Sequence, residues 1–223
     1  MIALFTTYGY SQNQQKLDSL KAELKKFEEE KKALGANFPY RNDTLKANLL
    51  DRIGEVYFKM NKFSEALSNF EEALKMHHDL RDKNGMAVSN TNLGLLNSKM
   101  EQYREAMKFE MEALKAREDL GNNLDIGLAN ELIAYEYENL RDKLNALIYH
   151  QNALKNYLLT TDKKHIAMAY HNVGRLYFYS ANNKRALENE HKALTIAEQI
   201  GDTLLEKKVN ISIQEIDKAK KAY

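Results

Sequence analysis

The sequence predicts an all-α solenoid of helix-turn-helix repeats, on two observations. Gly54, Gly94, Ala134 and Gly174 recur at a 40-residue interval, and each is followed in register by an alanine (Ala66, Ala106, Ala146, Ala186) and an Ala-Leu pair (Ala73-Leu74, Ala113-Leu114, Ala153-Leu154, Ala193-Leu194). Within each unit the apolar residues step by three and four, which is the period of one helix face and not of a strand. Glycine inside a helix costs about 1 kcal/mol relative to alanine, so glycine kept at a fixed interval implies close helix packing there.

Each repeat reads as two antiparallel helices. In the first, helix A runs from Thr44 to Met60, a turn follows at Asn61-Lys62, and helix B runs from Ser64 to Leu80. The register continues through Ile53, Leu93, Ile133 and Val173 just before the small residue, and Tyr57, Asn97, Tyr137 and Tyr177 three positions after it. The absent Cβ of Gly54 and its equivalents lets helix B approach, and Ala66 and Ala73 let helix B meet its neighbours. Polar turns rich in Gly, Asn and Asp separate four units at about 44–82, 83–122, 123–162 and 163–202.

The ends differ from the repeats. Residues 12–43 read as a capping helix and linker: Leu17, Leu20, Leu24, Phe27 and Leu34 form a stripe on a helix from Gln12 to Ala33, ended by Gly35 and followed by Asn37-Phe38-Pro39. The same stripe offers a weak homodimer contact as the alternative to docking. Residues 203–223 read as a C-terminal capping helix, Leu204 to Lys220, carrying Val209, Ile213 and Ile216, with Gln214 where the period would place glycine. Residues 1–11 form an apolar stub without a preceding basic region, read either as a plain N-terminus or as the end of a truncated signal peptide. The compartment follows that choice: cytoplasmic as written, periplasmic or secreted in the second case.

Composition narrows the function classes. Lys+Arg 33 against Asp+Glu 32 gives a net charge of +1 with no long run of one sign, which argues against nucleic-acid and membrane-surface partners. With no cysteine there is no disulfide, thiolate chemistry or cysteine-based zinc site. No segment has the ~20 apolar residues of a membrane span. No phosphate-binding glycine loop, nucleophile elbow or His-Glu-x-x-His spacing appears, so neither a catalytic residue, a metal nor a cofactor is expected. His77, His78, His150, His165, His171 and His191 read as isolated surface histidines.

The glycine in helix A, the aromatic three residues on, and the two alanines seven apart in helix B resemble the tetratricopeptide repeat family over Thr44 to Ile200. The 40-residue unit is similar to the variant found in kinesin light chains, in bacterial peptide-sensing regulators, and in repeat regions preceding bacterial sensor kinases or cyclases. The resemblance implies a right-handed α-solenoid whose A helices line a concave wall, and a non-enzymatic scaffold that binds a peptide or protein there. The alternative it implies is the sensory or regulatory segment of a larger signalling receptor. Counting from the small residue, the positions facing that wall include Asn48, Asp51, Arg52 and Glu55; Thr91 and Asn92; Glu131 and Tyr135; and His171, Asn172 and Arg175. Peptide-binding members of the family place an asparagine where Asn92 and Asn172 stand, to bond a ligand's backbone amide; the other reading is that these asparagines bond neighbouring helices. Val88, Leu128 and Met168 occupy a position where a carboxylate clamp would need lysine. Tyr137 and Tyr177 read as packing residues, whereas Tyr135, Phe178 and Tyr179 are off that register.

Overall fold

The computed structural model describes residues 2–35 and 41–221, with side chains described for 10–35 and 43–220. Among these residues there are ten α-helices and no strand. After α1 (Ile2–Leu34) come α2 (Arg41–Lys59) and α3 (Phe63–Asp79), α4 (Lys83–Lys99) and α5 (Tyr103–Leu120), α6 (Asn123–Asn139) and α7 (Lys143–Tyr157), α8 (Lys163–Tyr179) and α9 (Asn183–Ile200), and finally α10 (Thr203–Lys221). The even-numbered members from α2 to α8 are the A helices and the odd-numbered members from α3 to α9 the B helices. α1 starts at Ile2 rather than near Gln12, since no proline interrupts the stub; the Asn37-Phe38-Pro39 linker lies outside the described residues. No helix among the described residues is long and apolar enough to cross a membrane.

Helix ends recur twice per repeat. The backbone turns left-handed at Asn61, Arg81, Glu101, Gly121, Arg141, Ala181 and Gly201, with φ between 55° and 74°. The next N–H reaches back five residues at Lys62→Tyr57, Asp82→His77, Gln102→Asn97, Asp142→Tyr137, Asn182→Tyr177 and Asp202→Ala197, which satisfies carbonyls that the helix end would otherwise strand. An Asp or Asn then opens most of the following helices: the side chains of Asp82, Asn122, Asp142, Asp162, Asn182 and Asp202 each accept from a first-turn N–H. One end departs from the pattern. After α7, Thr160 Oγ1 donates to the Tyr157 carbonyl and accepts from the Asp162 N–H, so a hydroxyl does the work of the left-handed residue.

The chain divides into two compact units, Met1–Ala116 and Arg117–Tyr223. In the first, α1 lays Leu17 and Leu20 against Leu49, Ile53 and Val56 of α2 and Met60 just after it, and Ala66 and Phe70 of α3 pack on Leu93 and Leu96 of α4. In the second, Ala153 and Tyr157 of α7 meet Ala169 of α8, and Ala193 and Ala197 of α9 pack with Ala167 of α8 and with Leu205 and Val209 of α10. The small residues of the A helices are explained by what faces them. A Cβ on Gly54 would stand 2.5 Å from the Phe70 ring, one on Gly94 2.7 Å from Glu110, and one on Gly174 3.1 Å from Glu190. The second core contact needs the same concession: a Cβ on Gly127 would lie 2.4 Å from the Tyr157 ring, and one on Gly85 would run into the His77 imidazole.

Two substitutions test the end chemistry. Lys62 opens α3 with φ −91° and ψ 75°, close to Asp142 at −87° and 80°, but its side chain makes no capping bond. Lys62→Asp is expected to raise the unfolding free energy by about 1 kcal/mol in urea titrations. Ala181 is exposed at φ 58°; Ala181→Gly relieves the left-handed backbone and is expected to add about 0.5–1 kcal/mol in the same measurement, after the entropy that glycine returns to the unfolded chain.

Candidate functional site

In the first unit the expected wall is formed by α2 and α4. Asp51 is not on its open surface: it is 3% exposed, and its carboxylate is a hub. Ser89 Oγ donates to Asp51 Oδ2 at 2.7 Å, Asn92 Nδ2 donates to Oδ1 at 3.3 Å, and His77 Nε2 lies 3.3 Å from Oδ2. The other ring nitrogen of His77 lies 3.0 Å from Asp82, the residue that caps α4. One buried carboxylate thus ties α2 to α3 and to α4. Asn48 and Arg52 are exposed, and Arg52 pairs with Glu23 of α1 at 3.7 Å. Thr91 returns its hydroxyl to the Ala87 carbonyl. Glu55, Phe58, Lys59, Phe70, Asn92 and Leu95 line a cleft of about 210 Å³ on this face.

The second unit repeats the hub with different chemistry. Glu131 occupies the position of Asp51, Tyr157 that of His77, and Asn172 that of Asn92. Tyr157 Oη donates to Glu131 Oε2 at 2.8 Å, Asn172 Nδ2 donates to Oε1 at 3.0 Å, and Tyr135 Oη donates to Oε1 at 3.0 Å. Asn172 Nδ2 also reaches Tyr135 Oη at 3.2 Å. Burial, reinforced by the Glu131 charge, raises the Tyr135 pKa and keeps the phenol a donor to that carboxylate. Asn172 is buried at 5% exposure and holds α8 to α6, while Asn92, with the same kind of bond, also lines the open cleft.

Two further hubs were not legible as candidates. Glu138 accepts two bonds from one Arg175 nitrogen, at 2.8 and 2.7 Å, and lies 2.7 Å from His150 Nε2. Glu190, wholly buried, accepts from Ser212 Oγ at 2.7 Å and faces His171 Nδ1 at 2.8 Å. The histidine reading needs correction here: His77 and His150 are buried, at 0% and 1% exposure, because each stands on the helix B face that meets helix A and has a carboxylate within reach. The usable signal was positional. Phe70, Glu110, His150 and Glu190 share one register opposite the small residue, so a polar group there is buried by construction. Near α10, His171, Arg175, Phe178, Tyr179, Lys208, Ile211, Ser212 and Glu215 line a second cleft of about 220 Å³. The Arg175 guanidinium lies over the Tyr179 ring, 5.8 Å from its centre, and Tyr179 and Ile211 are more than half-open to solvent or close to it, at 50% and 57%. No group of three or more histidine or acidic side chains is placed to hold a metal among the described residues.

Burial alone would raise the Glu138 pKa, but the His150 hydrogen bond and the Arg175 charge outweigh it and hold the carboxyl below its ordinary 4.5. A depressed carboxyl contributes stability that is present above the unfolded value and lost as pH falls through the folded one. Glu138→Gln is therefore expected to lower the unfolding free energy of the protein by about 2 kcal/mol at neutral pH, with the gap to wild type closing in urea titrations carried down to roughly pH 3.

The tetratricopeptide repeat family's sequence profiles match residues 45–119 and again 166–200. No curated protein matches the sequence. Among solved structures, BtubC (BKLC) from P. vanneervenii is 17% identical with a TM-score of 0.67, over 95% of this chain and 93% of that one. A signal transduction ATPase with numerous domains and a tetratricopeptide repeat sensor, from Pyrococcus horikoshii, is 18% identical with a TM-score of 0.72; the match covers 89% of this chain but 31% of that protein. A Rap protein complexed with competence and sporulation factor is 13% identical with a TM-score of 0.66, over 96% of this chain and 63% of that one. At these identities the likeness shows the fold. Repeated small residues meeting large ones across each A–B pair, the twice-per-repeat helix ends, and the matching profiles converge on one assignment: the chain is a tetratricopeptide repeat protein, built as an all-helical repeat solenoid.

Proposed function

We propose that this protein is a non-enzymatic scaffold that binds a peptide or a helix of another protein along its A helices, the side that forms the concave wall in the family. Protein interaction or regulation is the role that the fold supports; the binding mode is our reading. The observation that carries it is the cleft on α2 and α4, which Asn92 lines together with Leu95 and Phe58, its amide held by the Asp51 hub. An amide side chain fixed by a buried carboxylate is preorganised, and the neighbouring apolar side chains supply contact area that desolvates it. Leu95 and Val88 are each 38% exposed, so this face is not closed by the protein's own packing. The cleft beside α10 offers the same combination in the second unit, with Tyr179 and Ile211 as the apolar part and Arg175 and Lys208 as the cations. The Rap protein of the same fold complexed with a factor supports ligand binding as a use of this architecture.

A second reading is a sensory or regulatory segment of a larger signalling protein. It is favoured by the Pyrococcus horikoshii structure, in which a repeat array of this fold serves as the sensor of a multidomain ATPase. The coding sequence on either side of the chain, read for a membrane helix or a kinase, cyclase or ATPase domain, tests it.

Screening a peptide array with the wild-type protein and with the Asn92→Ala, Leu95→Ser double variant tests the scaffold. Both positions lie at the cleft; because Asn92 is one of the donors to buried Asp51, the variant is expected to melt somewhat below wild type, and affinities are compared well below its midpoint, where circular dichroism shows it folded. Peptides selected by wild type are expected to bind the variant at least about tenfold more weakly, a loss of about 1.4 kcal/mol. Undiminished affinity for every selected peptide would remove this cleft as the site. Asn172→Ala is the informative companion: it is expected to lower stability, because it leaves the Glu131 carboxylate short of a donor.

A further inference from the structure

The four B helices present the same register to solvent, and one of them breaks its chemistry. At the first two exposed positions α3 carries Ser64 and Ser68, α5 Arg104 and Lys108, and α9 Lys184 and Glu188, whereas α7 carries Leu144 and Ile148. At the far end of the same register α3 has His78 and Asp79 and α9 has Glu198 and Gln199, whereas α7 runs into Leu158 and Leu159. These four aliphatic side chains are 70%, 44%, 50% and 66% exposed. Leu144 and Ile148 lie one turn apart on the same side of α7, and Leu158, its C-cap, and Leu159 follow at the other end of the helix. Single exposed leucines are ordinary on protein surfaces; four at positions where sibling repeats are polar or charged are a patch.

The ionic side chains of α7 itself are of one sign. The sequence of α7, Lys143 to Tyr157, contains no Asp or Glu, and the residues between the aliphatic pairs are Gln151, Asn152 and Lys155. Arg141 and Lys143 flank one end, and Lys163 and Lys164, both exposed, follow the other. The nearby carboxylates are occupied within the chain: Asp142 accepts from the Asn145 N–H and side-chain amide, and Asp162 from the His165 N–H and ring. Glu138 is bound by Arg175 and His150.

We propose that the outer side of α7 is a docking face for an amphipathic helix of another protein, one presenting an aliphatic row flanked by Asp and Glu. The aliphatic row would bury Leu144, Ile148, Leu158 and Leu159, and the flanking carboxylates would meet Arg141, Lys155 and Lys163. The face lies on a B helix and shares no residue with either cleft, so substitutions in one are expected to leave the other function intact.

The test uses the full chain and two synthetic helical peptides of about 20 residues with the same leucine row, one flanked by glutamates and one by lysines, read by fluorescence anisotropy. The glutamate peptide is expected to bind, and the lysine peptide to bind at least tenfold more weakly. Leu144→Ser with Ile148→Ser installs the residues that α3 carries at the same register, and is expected to weaken the glutamate peptide at least tenfold with the melting midpoint unchanged; Leu144→Lys with Ile148→Glu, the residues of α9, is the second variant should the first unfold. Equal affinity for the two peptides, or no effect of either substituted pair, would overturn the proposal. So would a concentration-dependent dimer abolished by these substitutions, which would assign the face to a second copy, or flotation with phosphatidylserine vesicles in the absence of peptide binding, which would assign it to a lipid surface.

Discussion

Everything in this fold depends on how closely a B helix can approach its A helix. Across the A-helix backbone lie the large side chains of Phe70, Glu110 and Glu190: a Cβ on the facing glycine would collide with the first two, and at the third, 3.1 Å away, it would fit only if the neighbour gave a little. Ala134 is the one departure in the series, opposite His150, and both are buried to 1% exposure or less. Helix propensity points the other way, since alanine is the better helix former at every one of these positions. Packing wins because an interior at crystal-like density cannot absorb such an overlap without a facing side chain or its helix shifting.

Close approach of the backbones also brings polar groups into the interior, and these chains of contacts determine how one repeat meets the next. Asp51 and Glu131 each accept from their own B helix and from the following A helix, so a single carboxylate sets the relative position of three helices within its unit. A buried carboxylate supplied with several donors is a weak source of net stability but a strong selector of geometry, because any shift that removes a donor leaves charge uncompensated. The first unit reaches this through a histidine linked to a helix cap, the second through two tyrosines. The position is common to both units while the chemistry differs, which shows that the constraint is the need for a donor there and not a particular side chain.

The candidate face inherits its character from those ties. Of the residues picked out by register, Asn48, Arg52 and Tyr135 are exposed, Glu55, Asn92, His171 and Arg175 are half-buried at or beside clefts, and Asp51 and Asn172 are interior. The two asparagines illustrate how register and exposure diverge. They stand at the same distance from their glycines and donate to equivalent carboxylates, yet Asn172 is buried and also donates to Tyr135 Oη, and Asn92 lines an open cleft with Leu95. Glu138, Glu190 and Ser212 were invisible to the same counting, because their importance comes from partners 12 to 37 residues away in sequence.

Periodicity by itself determined that the chain is helical, that its helices pair, and which small residues they pack through, because each of these is a local or fixed-interval property: a 3.6-residue apolar step and a missing Cβ. The same spacing carried the family resemblance. Only the tertiary structure decided which polar residues on the A helices are buried ties and which are open surface, that two histidines belong to the interior, and how far the aliphatic side chains at the two ends of α7 stand open to solvent. The physical reason is that exposure and hydrogen-bond partnership are set by side chains from other repeats, and a register of 40 residues specifies where a side chain points but not what meets it there.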